Sequence, residues 1–306
     1  LRGVNLSAHP GTLTLVCGSS GCGKSTLMHT MAGLLPPLSG EVIISRKPLS
    51  SLKMKELARL LSLVLTERIP AGNMAISDIV AVGRYPYTGF RGSLRPEDKA
   101  VIREALIACH LDGMQERLYS TLSDGEKQRV MISRALAQET PLILLDEPTA
   151  HLDLPSRLEV TTMLRTLARS LGKSILISTH ELDLALGWAD TIWLMDREGK
   201  VTASAPEDLI LGGHIERVFG APGLSYDQER GEFSIRQSGG KKIYLRGEGL
   251  RYIWTSRALQ RLGYEVTAST GAYPEVVLTE EAWELVLPSG KRSVYPSITA
   301  LLGALP

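Results

Sequence analysis

A glycine-rich segment near the start of the chain has the residue types and spacing of a phosphate-binding loop. It lies between an apolar run at residues 13–17 and a helical pattern at residues 25–32. Glycines let the backbone turn so tightly that consecutive N–H groups point at one anion, and the following helix adds the positive end of its dipole. This pattern predicts nucleotide binding. The residues concerned are Gly18, Ser19, Ser20, Gly21, Cys22, Gly23, Lys24, Ser25 and Thr26.

The last residues of this loop have distinct expected roles. Lys24 would reach the terminal phosphates of a nucleotide, and the Ser25 hydroxyl would complete the shell of a Mg²⁺ ion. A glycine-rich turn that binds nothing is the alternative. The strand pattern before the loop and the helical pattern after it favour a phosphate site.

Two acidic residues stand at the end of a second apolar strand pattern, at residues 142–146. A buried carboxylate is costly unless a cation or hydrogen bonds compensate it, and a Mg²⁺ ion beside a nucleotide would do so. Asp146 would then hold the ion. Glu147 would act as the general base for the water that attacks the γ-phosphate. The alternative is a strand that ends in acidic residues without a function.

Two further segments carry candidate phosphate contacts. Ser123 precedes a helical pattern as an N-cap, so that exposed N–H groups could hold a γ-phosphate, and Gly125 would let the backbone approach closely. An ordinary capped helix is the alternative. His180 follows an apolar strand pattern at residues 174–179. A lone histidine at a strand end is usually structural, so its interpretation depends on the other motifs.

Length and composition limit the possible classes of protein. The 306 residues favour two domains, and 43% hydrophobic with 22% charged residues is typical of a globular protein. A formal net charge of +1 gives no indication of a nucleic-acid partner. Three cysteines without C-x-x-C spacing indicate a reducing compartment. Because no apolar run reaches the roughly 18 residues of a membrane span, we expect a cytoplasmic chain.

Short apolar strands alternate with helical patterns, which predicts an α/β fold with a mostly parallel sheet. Strands are expected at residues 12–17, 41–45, 60–65, 142–146, 174–178 and 191–195. Helices are expected at residues 27–33, 96–110, 124–137, 155–171 and 181–188. Residues 77–138 have little strand pattern, so we expect a helical subdomain inserted between strands.

A cluster of proline and glycine after Phe219 interrupts this alternation and predicts a domain boundary, with domains at residues 1–220 and 221–306. The second domain is predicted to be small and α+β. Strands are expected at residues 232–236, 242–246, 265–267 and 275–278, with the first two joined by a turn at 238–240. A helix at 252–262, a hairpin around 283–294 and a closing helix at 297–302 complete the expected domain.

The order of the motifs resembles that of the nucleotide-binding subunit of an ATP-binding cassette (ABC) transporter. Leu122-Ser123-Asp124-Gly125-Glu126 is similar to the family's signature, His180 to its switch histidine, and Ala150-His151-Leu152-Asp153 to its D-loop. The resemblance covers residues 1–220 and implies a P-loop NTPase fold that binds ATP and Mg²⁺ and hydrolyses ATP.

The same resemblance implies partners. It implies a head-to-tail dimer in which ATP lies between one phosphate loop and Ser123 to Gly125 of a second copy, with Asp153 in contacts across the interface. The dimer would drive an integral-membrane permease from the cytoplasmic face of the inner membrane, as a peripheral subunit.

A narrower resemblance lies in Asp78-Ile79-Val80-Ala81-Val82-Gly83-Arg84-Tyr85-Pro86-Tyr87. This segment resembles one in importers of iron–siderophore complexes, haem and cobalamin, which implies a periplasmic or surface substrate-binding protein as an indirect partner. We expect the exposed aromatic residues to help receive the permease's coupling helix. A rigid surface turn is the alternative.

The chain departs from the family pattern in three places. The signature has Asp124 and Glu126 where the family usually has glycine and glutamine. The glutamine loop should fall at residues 64–68, which contain no glutamine, so Thr66 or Glu67 would have to offer an oxygen to Mg²⁺. The aromatic residue that stacks on adenine lies, in the family, upstream of a segment like residues 1–6, so it is expected to be absent from this chain.

Other classes of function remain open at this point. The main alternative is a soluble ABC ATPase that is not coupled to a permease. The absence of heptads between Lys24 and Leu122 disfavours the coiled-coil members, and a single cassette disfavours the translation type. The C-terminal unit could sense substrate, or it could only stabilise the dimer.

Overall fold

The computed structural model describes residues 1, 3–66, 72–89, 92–228, 231–235, 240–267 and 274–305. The chain divides into two compact units, Leu1–Phe219 and Gly220–Pro306.

The first unit is built on a six-stranded sheet of order β4-β5-β6-β1-β7-β8. The strands of this unit, including a short hairpin of β2 and β3, are β1 Leu13–Gly18, β2 Ile43–Ile44, β3 Lys47–Pro48, β4 Leu61–Val64, β5 Leu142–Asp146, β6 Ser174–Thr179, β7 Thr191–Met195 and β8 Val201–Ser204. All neighbours from β4 to β7 are parallel, and β8 is antiparallel to β7. Every residue of β1 and β6 is buried. The predicted α/β class with a mostly parallel sheet is confirmed.

Helices connect and cover these strands. They are α1 Lys24–Met31, α2 Met54–Leu57, α3 Ile76–Ala81, α4 Pro96–Ala108, α5 Asp124–Ala137, α6 Leu154–Leu171, α7 Leu182–Trp188, α8 Pro206–Leu211 and α9 His214–Phe219. Short 3₁₀ turns occupy Leu49–Ser51, Val82–Arg84 and Tyr119–Thr121. Between β4 and β5 the described residues form helices, turns and loops, with α3, α4 and α5 as the main elements.

Two features of the sheet differ from the sequence-based expectations. The strand expected at residues 41–45 is reduced to β2, which pairs only with β3. The edge strand β8 was not expected, because its short sequence Val-Thr-Ala-Ser lacks an apolar run. It is antiparallel and partly exposed, so it has no need of the continuous apolar pattern that marks a strand covered on both faces.

A buried arginine anchors the helical region to the end of α5. Arg84 is 5% exposed and donates to Asp98 Oδ1 at 2.9 Å and to Glu139 Oε2 at 2.6 Å. It also donates to the Ala137 carbonyl at 2.7 Å, so a cation satisfies an orphan carbonyl at the C-terminal end of the helix. Pairing and hydrogen bonding are what allow such a charge to be buried.

The second unit contains a hairpin and a five-stranded sheet of order β12-β11-β13-β14-β15. Its elements are β9 Leu224–Asp227, β10 Glu232–Ile235, β11 Lys241–Arg246, α10 Gly249–Arg261, β12 Tyr264–Thr267, β13 Glu275–Leu278, β14 Trp283–Val286, β15 Arg292–Tyr295 and α11 Ile298–Ala304. Strand β11 is parallel to both of its neighbours, and β13, β14 and β15 form an antiparallel meander.

The strands expected at residues 232–236 and 242–246 are present but do not pair with each other. Strand β10 pairs with β9, and β11 pairs on both sides with β12 and β13. Ile243 and Leu245 of β11 are buried in the core of the unit, as is expected of a strand with a neighbour on each side. Residues 236–239, which include most of the expected turn, lie outside the described residues.

Gly83 gives a test of the packing in the helical region. A Cβ atom at this glycine would lie 2.3 Å from the carbonyl oxygen of Arg134 on α5, so Gly83→Ala must displace the helix. We expect a loss of about 1–3 kcal/mol in the free energy of unfolding, measured by urea denaturation. Gly89→Ala is the matched control, because a Cβ there meets nothing within 4 Å. Equal stability of the two variants would contradict this account.

Candidate functional site

The phosphate loop joins β1 to α1 in a conformation that depends on its glycines. A Cβ at Gly18 would lie 2.4 Å from the carbonyl oxygen of Met195 on β7, so a side chain there would separate two core strands. Gly21 and Gly23 have φ angles of 81° and 102°, in the region that favours glycine. These glycines therefore allow the tight turn from β1 into α1 that the phosphate loop makes.

Lys24 lies inside this turn. It is 6% exposed, and its Nζ donates to the carbonyl oxygens of Gly18 at 2.8 Å and Ser19 at 3.2 Å. Burying an ammonium group is tolerated only with such partners. A cavity of about 280 Å³ opens beside it. The residues that line the cavity are Ser20, Gly21, Gly23, Lys24, Ser25, Thr26 and Glu147.

Asp146 ends β5 within reach of the loop. The Ser25 hydroxyl donates to Asp146 Oδ1 at 3.3 Å, although the two residues are 121 positions apart. Thr66 donates to the Asp146 carbonyl oxygen at 2.8 Å, so one of the two expected glutamine-loop substitutes lies beside the strand end. The other, Glu67, lies outside the described residues.

The donor set at this position fits Mg²⁺. A hydroxyl and a carboxylate are hard oxygen ligands, and Mg²⁺ is usually held by one or two carboxylates, waters and substrate phosphates. Among the described residues there is no group of three or more His, Cys, Asp or Glu that could hold a metal ion.

Glu147 and His180 meet at the same edge of the sheet. They follow the adjacent parallel strands β5 and β6, and His180 Nδ1 lies 3.4 Å from Glu147 Oε1. The side chains are 29% and 51% exposed respectively, so both can reach a ligand in the cavity, and Glu147 lines it. Ligands of open α/β sheets bind at this carboxyl end of the strands.

The predicted cap at the start of α5 is present and is completed by an unexpected residue. Ser123 Oγ accepts from the Glu126 N–H at 3.2 Å, and Glu126 Oε2 accepts from the Ser123 N–H at 2.7 Å. This reciprocal pair is a capping box. Arg117 lies 3.1 Å from Glu126. The hydrogen bond from the Ser123 backbone is the main cause that lowers the pKa of Glu126, so the carboxylate suits this position.

Gly125 and Asp153 have contacts within the chain. A Cβ at Gly125 would lie 3.1 Å from Ser156 Oγ, so the glycine allows α5 and α6 to approach each other. Asp153 caps α6 by accepting from the Ser156 N–H at 3.0 Å, and hydrogen bonds from the Ser156 side chain and backbone lower the pKa of Asp153. Among the described residues, those that line the cavity of the phosphate loop do not include Gly125 or Asp153.

Sequence reasoning missed a polar network that includes Glu181, the residue after His180. Glu181 pairs with Arg157 of α6 at 2.6 Å and accepts from Thr149 at 3.4 Å. Burial raises the pKa of Glu181, and the neighbouring guanidinium opposes that shift. Arg157 also donates to the Leu152 carbonyl at 3.3 Å, so the network connects the D-loop segment to the residue after His180. No local pattern marks it, because its members are distant in sequence.

The phosphate loop, the acidic end of β5 and the histidine after β6 define the chain as a P-loop nucleoside triphosphatase with a helical region between β4 and β5. Among the described residues, no helix combines the length and apolar character required for a membrane span.

Comparison with known proteins identifies the family. Residues 1–150 match the ABC transporter family, and residues 240–306 match the iron ABC transporter C-terminal domain. The uncharacterized ABC transporter ATP-binding protein MJ0873 of Methanocaldococcus jannaschii is 36% identical over 80% of this chain and 85% of its own. The ferric enterobactin transport ATP-binding protein FepC of Escherichia coli is 34% identical over 69% of this chain and 78% of its own.

A solved structure agrees with these relatives. The dimeric structure of MJ0796, a bacterial ABC transporter cassette, superposes with a TM-score of 0.58 at 27% identity and covers 67% of this chain and 90% of that one. The chain belongs to the ATP-binding subunits of ABC transporters and is an ATPase. In its C-terminal unit, residues 240–306 are similar to the C-terminal domain of iron ABC transporters.

The capping box at Glu126 has a pH dependence that can be measured. Glu126→Gln keeps an acceptor for the Ser123 N–H but loses the charge beside Arg117 and the helix dipole, and we expect about 0.5–1 kcal/mol lower stability at pH 7. A carboxyl group whose pKa is lowered by folding stabilises the folded protein at pH values above its unfolded pKa of about 4.3. This stabilisation is lost as the pH falls through the pKa that the group has in the folded protein. Urea unfolding from pH 7 downward should therefore show the two proteins converging in acid. A difference independent of pH would contradict this.

Proposed function

We propose that the chain is the ATP-hydrolysing subunit of an ABC importer that takes up an iron chelate through a partner permease. The observation that carries the proposal is the convergence of Lys24, Ser25, Asp146, Glu147 and His180 at one edge of the sheet. These are the positions expected for phosphate binding, metal binding and water activation.

Each residue has a specific role in the proposed reaction. Lys24 binds the terminal phosphates, Ser25 and Asp146 hold Mg²⁺, and Glu147 accepts the proton of the attacking water. His180, within 3.4 Å of Glu147, contacts the γ-phosphate and orients the carboxylate. The metal, when bound, neutralises charge on the phosphate oxygens. Glu147 would then act on the water and Lys24 on the phosphate anion, from the lining of the same cavity.

We propose that the site is completed by a second copy of the chain. Ser123 and Gly125 stand at the start of α5, outside the cavity of their own phosphate loop. A head-to-tail dimer would place the N-terminus of α5 of one copy on the ATP of the other, where its dipole favours a phosphate. The dimeric solved cassette supports this arrangement. Asp153 would then lie near the dimer interface.

The permease contact is proposed to include the segment at Gly83–Tyr87. Tyr85 is 63% exposed, whereas the Tyr87 hydroxyl donates to the Gln138 carbonyl oxygen at 3.0 Å and its ring lies 4.2 Å from the Arg84 guanidinium. One tyrosine therefore anchors the turn and the other is presented to a partner. This role would make the chain a peripheral subunit at the cytoplasmic face of the cell membrane, with a substrate-binding protein outside.

Iron chelates are the proposed cargo class. The support is the match of residues 240–306 to the iron ABC transporter C-terminal domain and the similarity to a ferric enterobactin transport protein. Haem is an iron chelate too, and cobalamin, a cobalt chelate, is the further metal chelate that the sequence resemblance implies as cargo. A soluble ATPase without a permease is the competing function, and the permease test below separates the two.

The role of Glu147 is tested by Glu147→Gln, which keeps the size of the side chain and removes the base. We expect ATP binding to persist, turnover to fall by about 100-fold or more, and a stable ATP-bound dimer to accumulate. Steady-state phosphate release and size-exclusion chromatography with ATP measure the two effects. Lys24→Ala is the contrasting variant, since it should weaken nucleotide binding itself. Hydrolysis at the wild-type rate in Glu147→Gln would refute the assigned base.

Tyr85→Ala tests the permease contact. We expect basal ATPase activity within about twofold of wild type, but loss of most of the stimulation by the permease in lipid nanodiscs, because an exposed aromatic is typical of an interface anchor. Tyr87→Phe is the matched control, as it removes only the internal hydrogen bond to Gln138. Full stimulation of Tyr85→Ala would contradict the contact, and no stimulation of the wild-type chain by any co-encoded permease would favour the soluble alternative.

A further inference from the structure

A single buried hydroxyl contacts both acidic residues at the end of β5. Ser178 lies on β6 directly opposite Asp146 in the parallel register, and its side chain is fully buried. Its Oγ donates to Asp146 Oδ1 in a short hydrogen bond and accepts from the Glu147 N–H at 2.9 Å. The Ser178 carbonyl oxygen lies 3.2 Å from the same N–H. Sequence analysis did not identify this residue.

The direction of these hydrogen bonds is determined by chemistry. An ionised carboxylate can only accept, so the single hydroxyl proton of Ser178 points at Asp146. The Glu147 N–H can only donate, so it points at the oxygen lone pairs. The Ser178 hydroxyl therefore donates a hydrogen bond to Asp146 and accepts one from Glu147, and both of these residues have proposed roles in catalysis.

The two hydrogen bonds of Ser178 restrain the backbone of Glu147 and the carboxylate of Asp146. Glu147 has a φ of 46°, in the left-handed region, which is unfavourable for a residue with a side chain and persists only when its surroundings hold it there. Asp146 Oδ1 accepts from both Ser25 and Ser178, so two donors hold this oxygen. Without Ser178, the bond of 3.3 Å from Ser25 is the one side-chain hydrogen bond left to the carboxylate among the described residues.

We propose that Ser178 is a positioning residue for ATP hydrolysis: it orients the carboxylate of Asp146 toward Mg²⁺ and holds the backbone of Glu147 so that the Glu147 carboxylate can act on the attacking water. The proposal rests on the roles proposed above for Asp146 and Glu147. Groups that orient metal ligands in this way typically contribute 10–100-fold, roughly, to metal affinity or activity.

A second buried serine on the same sheet provides a matched control. Ser62 on β4 is 1% exposed, and its Oγ accepts from the Thr140 hydroxyl at 3.0 Å. Replacing it with alanine removes the same atoms from a comparable environment but touches neither acidic residue. A purely structural effect of losing a buried hydroxyl should therefore appear in both variants.

The experiment compares Ser178→Ala, Ser178→Thr and Ser62→Ala in the full chain. For Ser178→Ala we expect kcat to fall by about 10–100-fold and the Mg²⁺ concentration for half-maximal activity to rise several-fold. Binding of a fluorescent ATP analogue in EDTA should be unchanged, while the gain in affinity on adding Mg²⁺ should shrink. Ser178→Thr restores a hydroxyl and should recover most of both properties, and Ser62→Ala should match the wild type.

Distinct results overturn the proposal. Wild-type kcat and Mg²⁺ dependence in Ser178→Ala would refute it, as would an equal loss in Ser62→Ala. If Ser178→Ala proves poorly folded by thermal denaturation, failure of the folded Ser178→Thr variant to restore Mg²⁺-dependent binding would refute it as well. Failure of the proposed function would give a different result. The wild-type chain would then show no Mg²⁺-dependent ATP hydrolysis, or the Glu147→Gln variant would hydrolyse ATP as fast as the wild type.

Discussion

The parallel alignment of β1, β5 and β6 is the constraint on which the site depends. Parallel strands bring their carboxyl ends to one edge, and here that edge receives the phosphate loop after Gly18, the acids after Leu145 and the histidine after Thr179. Residues more than 100 positions apart are thereby placed in hydrogen-bond contact, as in the bond from Ser25 to Asp146. The core of apolar strands excludes water, so the polar groups at its edge can be held by few but well-directed bonds.

Helix α5 extends this arrangement away from the sheet. At its N-terminal end the helix begins with the Ser123 capping box, and at its C-terminal end it packs against Gly83 and ends beside Arg84. Just beyond the helix, Gln138 donates to the carbonyl oxygens of Ala58 at 2.7 Å and Leu61 at 2.8 Å, which attaches it to β4. The signature-like segment and the exposed turn at Tyr85 are therefore connected through one helix that is fixed to the sheet.

Several positions that resemble family motifs also satisfy local requirements of the chain. Glu126 completes a capping box, Asp153 caps α6, and Gly125 lets the start of α6 approach α5. The departure from glutamine at position 126 thus has a physical reason, because a carboxylate at the third position of a helix is favoured by the dipole and by Arg117. Local stability and a role toward a second copy are compatible at each of these positions.

By itself the sequence determined the class of fold, the phosphate loop, the acidic strand end and most helix and strand positions, because these depend on local patterns of apolar residues, glycines and caps. Only the tertiary structure decided which strands are neighbours: it placed β11 between β12 and β13 and paired β10 with β9. It also revealed the contacts of Ser178, Glu181 and Arg84. Such contacts join residues that are distant along the chain, and no local pattern encodes them.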